Sequence, residues 1–236
     1  VTGVQTCALP ILGGYGILRD LLKPYEKSIE AQKLCFIIGV GWMPGISGVF
    51  SKTIIETHLN SPENTNFNIY YGAVDNWSYS STYDLAASSM GKTRSYVYSH
   101  GKEIQVSPFR YTHHKFFPFI GHKKICMPSF DEQLTQLATS LKQIRKISTF
   151  IMLNDYISMG KFMFIKIFYK HNLNKATLML QDDYQRLVKK ENKWGSVICQ
   201  VSKIEPERKI DTFYYLYTKN NLLYTALPAV ITTQYI

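Results

Sequence analysis

Little in this sequence could cross-link or template a scaffold. Cys7, Cys35, Cys126 and Cys199 are the only four cysteines in 236 residues, too scattered for a C-x-x-C zinc or redox motif. Setting aside Cys7, which lies in an opening segment unlike the rest, an odd number remains. That pattern implies reduced, buried thiols in a cytoplasmic protein and excludes a disulfide framework. Long hydrophobic runs are missing too. The most apolar stretch, "FMFIKIFYK", is too short and too interrupted by lysine to span a bilayer, so no membrane partner is expected. No internal repeat, low-complexity tract or G-x-G-x-x-G loop occurs. Acidic residues are outnumbered, 17 against 27 Lys and Arg, for a net charge of +10. The excess is scattered over Lys23, Lys27, Lys33, Lys52, Lys92 and Lys102, with pairs at 123–124 and 189–190. No basic stripe alternates with stacking aromatics, so no nucleic-acid partner is expected.

The chain also lacks an initial Met, and its opening, "VTGVQTCALPI", lacks any charge. Without a basic n-region or a long apolar core it is not a secretory signal. Gly3, Gln5, Thr6 and Pro10 interrupt any strand-like alternation. The peptide resembles the translation of a common short-read sequencing adapter. Residues 1–11 are therefore expected to be a scar foreign to the fold, with the native polypeptide starting upstream of Leu12 and cut short at both ends.

What is present reads as a globular protein, 45% hydrophobic and 19% charged. "YEKSIEAQKL" carries helix-forming residues with Tyr25 and Ile29 on one face. "CFIIGVG" is a short apolar run ending in glycines, suited to a strand buried on both faces of a parallel sheet. In "WMPGISGVFSKTIIETHL", Pro44 suits a first helical turn, and Ile46, Val49, Phe50, Thr53 and Ile54 make an apolar face. After the polar loop "NSPENTN", "FNIYYGA" and "RSYVYSHGKEIQV" read as strands, the latter a hairpin turning at His100–Gly101. "SYSSTYDLAASSM" is expected to be a helix capped by Ser80, Ser81 or Thr82 with Asp84 in its first turn, and "SFDEQLTQLATSLKQI" a helix capped by Ser129. "ISTFIML" reads as a strand, and "DYISMGKFMFIKIFYKHNL" and "NKATLMLQDDYQRLVKK" as helices. "KWGSVICQVSKI" and "KIDTFYYLYT" form two strands joined by a Glu-Pro-Glu turn, followed by a helix beginning near Pro228. The fold class is thus an α/β remnant of a Rossmann-type domain over residues 12–60, then an α+β domain with a mixed or antiparallel sheet over residues 61–236.

"GGYG" before a helix, "IIGVGWMPGISGVFSK" across a strand and a helix start, and the late "LLYTALPAVITTQYI" resemble, in this order, the saccharopine dehydrogenase family. "YSSTYDLA" sits where family members enter their second domain. The likeness spans most of residues 12–236 and is strongest at 36–52 and 222–232. It implies an NAD(P)-dependent oxidoreductase moving a hydride between NAD or NADP and an imine or secondary amine of an amino-acid conjugate. A small amino-acid-derived substrate and a homodimer are the partners it implies. The family's Gly-rich loop is absent, so this fragment is expected to be inactive. The competing reading is a non-catalytic α+β binding module with a basic surface.

Candidate cofactor contacts follow from the resemblance and from backbone chemistry. Gly41, Trp42, Met43, Pro44 and Gly45 join a strand end to a helix N-terminus, where N–H groups and a partial positive field suit a carboxylate or a carboxamide. The bland alternative is a tight turn with a packing Trp. Gly13, Gly14 and Tyr15 form either a turn bordering the nicotinamide or a glycine turn with a core Tyr. His113, His114 and His122 cluster with Lys115, but adjacent strand histidines point to opposite faces, so no metal site is expected. Substrate contact by this cluster competes with a solvated basic loop, and Lys52 and Arg94 are further conceivable carboxylate contacts. "NDYISMGK" holds Ser and Lys without a supporting base, which gives nucleophilic hydrolysis no support. No residue is assigned as catalytic.

Overall fold

The computed structural model describes residues 7–8, 22–33, 35–36, 41–42, 45–59, 62–90, 95–129, 132–169 and 171–233. Strand β1 (Cys7–Ala8) pairs in parallel with β2 (Cys35–Phe36), flanking helix α1 (Glu26–Ala31). Of the opening segment, residues 7–8 are described, as this short strand. Helix α2 (Ile46–His58) leads into β3 (Thr65–Val74) and α3 (Tyr79–Met90). Hairpin β4 (Tyr96–Ser99) and β5 (Lys102–Gln105) turns at His100 and Gly101, φ 49° and 72°. Both central residues have positive φ, as a tight hairpin turn matched to strand twist requires. Helix α4 (Pro108–Tyr111) precedes hairpin β6 (His113–Phe117) and β7 (His122–Pro128), and then α5 (Glu132–Ser140) and β8 (Lys146–Leu153) follow. Helices α6 (Tyr156–Phe168) and α7 (Leu173–Lys190), strands β9 (Trp194–Ile204) and β10 (Lys209–Thr218), and α8 (Asn221–Thr233) complete the order.

The result is an α/β fold on one mixed, open sheet of order β10-β9-β3-β8, whose far edge splits. Strand β4, with β5, meets β8 near Ile147, while β7, with β6, pairs Phe150 through Leu153. The pair β3·β8 is parallel, and the other pairs of this sheet are antiparallel. Alternation along β3 sends Phe67 and Ile69 to one face and Tyr70 to the other. The first face carries two apolar clusters. In one, α2 and α5 place Ile54, Ile55, Leu134 and Ala138 on Phe67, Ile69, Val197 and Val201. In the other, α3, α6 and α7 place Ala86, Phe162, Ile165, Ala176 and Leu180 on Ile125, Ile151 and Leu153. On the opposite face Tyr70, Phe117, Cys126, Phe150, Trp194 and Ile198 pack with Leu187 from the last turns of α7. Among the described residues no helix is long and apolar enough to cross a membrane.

Several local expectations are corrected. In α2 the buried residues are Ser47, Gly48, Ser51, Ile54 and Ile55, whereas Val49 is exposed. Small residues face inward because α5 lies close. A Cβ on Gly48 would fall 2.3 Å from the Gln133 side chain. Helix α3 is capped by Ser78, whose Oγ accepts the Ser81 N–H at 3.2 Å. Helix α8 begins at Asn221, with Pro228 inside it, and Asn220 Oδ1 accepts the Leu223 N–H at 3.1 Å as its cap. A strong cap overrides the proline signal. Helix α2 shares a core with β3 and β9.

Candidate functional site

The strand-to-helix loop is built around Gly45. Its φ of 128° suits glycine alone, and a Cβ there would lie 2.2 Å from the Gly41 carbonyl oxygen. That approach lets the loop cap its own helix. The Ile46 N–H donates to the Gly41 carbonyl at 2.9 Å and the Ser47 N–H to that of Trp42 at 3.1 Å. Gly45 N–H donates to Gln133 Oε1 on α5 at 2.8 Å. Three donors that an anion would need, the N–H groups of Gly45, Ile46 and Ser47, are therefore occupied. Trp42 packs against the core shared by α2, α5 and β3. Its ring meets Tyr224 of α8 edge-on, centroids 5.3 Å apart, and its buried indole N–H has no hydrogen-bond partner among the described residues. Two of the stretches that carry the family resemblance, far apart in sequence, thus converge. Gly41 is buried and Gly45 half-buried. Met43, Pro44, Gly13, Gly14, Tyr15 and Arg94 lie outside the described residues.

A second polar assembly occupies the sheet face opposite α2 and α5. Register aligns Lys146, Asn66, Ser202 and Asp211 across four strands, and next to them Ser148, Asn68, Gln200 and Phe213. The following row, Phe150, Tyr70, Ile198 and Tyr215, is apolar apart from hydroxyls. Hairpin β6–β7 curls over this face. Phe119 stacks on Tyr215 at 4.0 Å, and Lys115 Nζ donates to Gln200 Oε1 at 2.7 Å. Tyr70 Oη also donates to that oxygen, at 3.1 Å. Burial lowers the Lys115 ammonium below its ordinary range, opposed by Asp211. Partial burial works to raise Asp211, but hydrogen bonds from Ser202, Lys209 and Gln200 outweigh it and hold that carboxyl low.

Of the predicted histidine cluster, His113 points inward with Nδ1 2.9 Å from the Tyr111 carbonyl oxygen. His114 points outward with Nε2 2.8 Å from Tyr156 Oη, and His122 is exposed. The strand pleat separates them, as the alternation argument requires. Lys52 is an exposed partner of Glu56 at 3.6 Å. Ser158 is buried and donates to Asp183 Oδ2 at 2.6 Å, tying α6 to α7.

Sequence reasoning missed Lys124, whose side chain is 2% exposed. Its Nζ donates to Asn154 Oδ1 at 2.7 Å and to Glu191 Oε2 at 3.2 Å, and lies 4.8 Å from the Trp194 ring centroid. Burial lowers its ammonium and Glu191 opposes that shift. A Lys-Lys pair reads as a solvated turn, so only the β7–β8 register, which sets Lys124 beside Asn154, could have revealed it. No model of a known protein family matches this chain, and no curated protein matches it.

Proposed function

We propose that this chain is part of an NAD(P)-dependent oxidoreductase of the saccharopine dehydrogenase kind, acting between an imine and a secondary amine of an amino-acid conjugate. The observation that carries the reading is the meeting of Trp42 and Tyr224 above a glycine loop. A bound nicotinamide would supply the hydride chemistry. The residues here fit its ring end and not its pyrophosphate. The N–H groups of Gly45, Ile46 and Ser47 at the helix start are consumed internally, whereas the Trp42 indole N–H is a buried donor without a partner among the described residues, suited to the carboxamide oxygen. Trp42 would wall and orient the ring, Gly41 and Gly45 would keep the backbone close, and Tyr224 would fix the indole plane.

The test is calorimetric titration of the whole chain with reduced nicotinamide mononucleotide, NADH and NADPH. Saturable binding with a dissociation constant below about 10 mM is expected, weakened about tenfold or more in Trp42→Phe, which keeps the ring and removes the donor. Absence of saturable heat for all three ligands sinks the proposal. The self-capped helix favours, as a second reading, a non-catalytic binding module with a basic surface, and that outcome would support it.

A further inference from the structure

The polar rows beside hairpin β6–β7 are unlike the rest of the sheet. Asn66, Asn68, Ser148, Gln200 and Ser202 stand on three adjacent strands, where the next row of the same face is Phe150, Tyr70 and Ile198. Polar side chains gathered on a half-covered sheet face cost desolvation unless their donors and acceptors are used. Gln200 is used internally. Its Nε2 donates to Ser202 Oγ at 3.1 Å, and its Oε1 accepts from Lys115 at 2.7 Å and from Tyr70 at 3.1 Å. Asn66 is different: its Oδ1 is buried and has no hydrogen-bond partner among the described residues.

Two cations flank Asn66 and Asn68. On the β8 side, Lys146 Nζ lies 4.8 Å from the ring centroid of Tyr111. On the β9 side, Lys115 Nζ lies 5.3 and 5.1 Å from those of Tyr70 and Phe213. Both lysines are half-buried, and among the described residues neither has a carboxylate within 4.0 Å. Asp211 bounds the patch on β10, but Lys209 at 3.2 Å, Ser202 and Gln200 engage its carboxylate. Lys146 rises from β8 and Lys115 seats on β9, two strand spacings or roughly 10 Å apart. A compact anion is too small for that gap, whereas a short chain with a carboxylate at each end spans it. Between its ends the Asn66 oxygen calls for a donor, and beside two ammonium groups a neutral hydroxyl is favoured over a third cation. We propose that this patch binds a small hydroxydicarboxylate, its carboxylates on Lys115 and Lys146 and its hydroxyl donating to Asn66 Oδ1. The patch lies on the sheet face opposite the core that Trp42 joins, so it stands independently of the oxidoreductase reading.

Calorimetric titration of the full chain with malate, succinate, aspartate and inorganic phosphate tests it. Malate should bind with a dissociation constant below about 1 mM. Succinate lacks the hydroxyl and aspartate replaces it with an ammonium, so each should bind at least about fivefold more weakly. Phosphate, which cannot reach both lysines, should also bind more weakly than malate. Lys115→Met and Lys146→Met should each weaken malate about tenfold or more, and Asn66→Ala should erase its advantage over succinate. Unchanged far-ultraviolet circular dichroism identifies the variants that fold, and the ranking of the four ligands by the wild type needs no variant at all. The proposal is overturned if malate shows no saturable binding, or if any of the other three binds as tightly. Malate affinity unmoved by the lysine substitutions in folded variants overturns it too.

Discussion

At the residue scale, the most constrained side chain is Lys124. A buried ammonium survives only with its charge balanced and its donors used, and Glu191, Asn154 and the Trp194 face do both. Lys124→Met should therefore cost about 3 kcal/mol or more in urea denaturation, chiefly by stranding the Glu191 carboxylate. Lys124→Met with Glu191→Leu should recover most of that loss, and a double variant no more stable than the single one would refute the ion-pair account. The thiols provide a second measurement. Burial pushes Cys126 and Cys199 up to about 12. At pH 8 both should resist iodoacetamide in the folded protein and react once urea unfolds it, because thiolate is the nucleophile. Their character was legible from widely spaced cysteines in apolar strands. Lys124 was not, because its burial depends on a partner strand.

At the element scale, helices α6 and α7 are joined through Asp155. Its carboxylate accepts the Ser158 N–H at 2.9 Å as the cap of α6, and receives Arg186 Nη1 and Nη2 of α7 at 2.8 and 3.0 Å. Arg186 also binds Asp183 at 2.9 Å, and Lys190 approaches Asp155 at 3.5 Å. Burial works to raise the Asp155 carboxyl, but hydrogen bonds from Arg186 and Ser158 outweigh it and hold it well below its ordinary 3.8. A depressed folded-state value means the unfolded chain takes up the proton first as pH falls. The stabilisation is thus complete above about pH 5 and drains away through pH 4 and lower. Asp155→Asn should cost about 2 kcal/mol at neutral pH, and its stability curve should converge with that of the wild type in acid. Parallel curves across the whole range would contradict the linkage. Helices α6 and α7 were read from the sequence as helices, and the structure adds their caps, Asp155 and Asn172. The start of α8 was not, since Pro228 drew attention away from the Asn220 cap four residues upstream of Tyr224. The inward face of α2 was misread because close helix contact selects Ser and Gly, which hydrophobic periodicity ignores.

At the scale of the whole molecule, strand order is what the sequence conceals. Each of β3, β8, β9 and β10 announced itself by aromatic and β-branched content. Nothing local says that β9 returns to lie antiparallel to β3 while β8 runs parallel on its other side. The polar rows are invisible for the same reason: Lys146, Asn66, Ser202 and Asp211 come from four separate strands and align only through register. This order also sets where the protein opens first. Strands β3 and β9 have partners on both sides, and their central residues, Phe67, Ile69, Ile198 and Cys199, have no exposed surface. Among the described residues strand β10 pairs only with β9 and exposes Ile210, Phe213 and Tyr215, and β5 is exposed along its whole length. Amides whose opening requires breaking two ladders exchange only on global unfolding, whereas edge amides exchange through local fraying. Hydrogen exchange followed by mass spectrometry should therefore rank peptides from β3 and β9 slowest, β8 next, and β5 and β10 faster by at least about a hundredfold. Protection of β10 matching that of β9 would mean that its free edge is covered in solution.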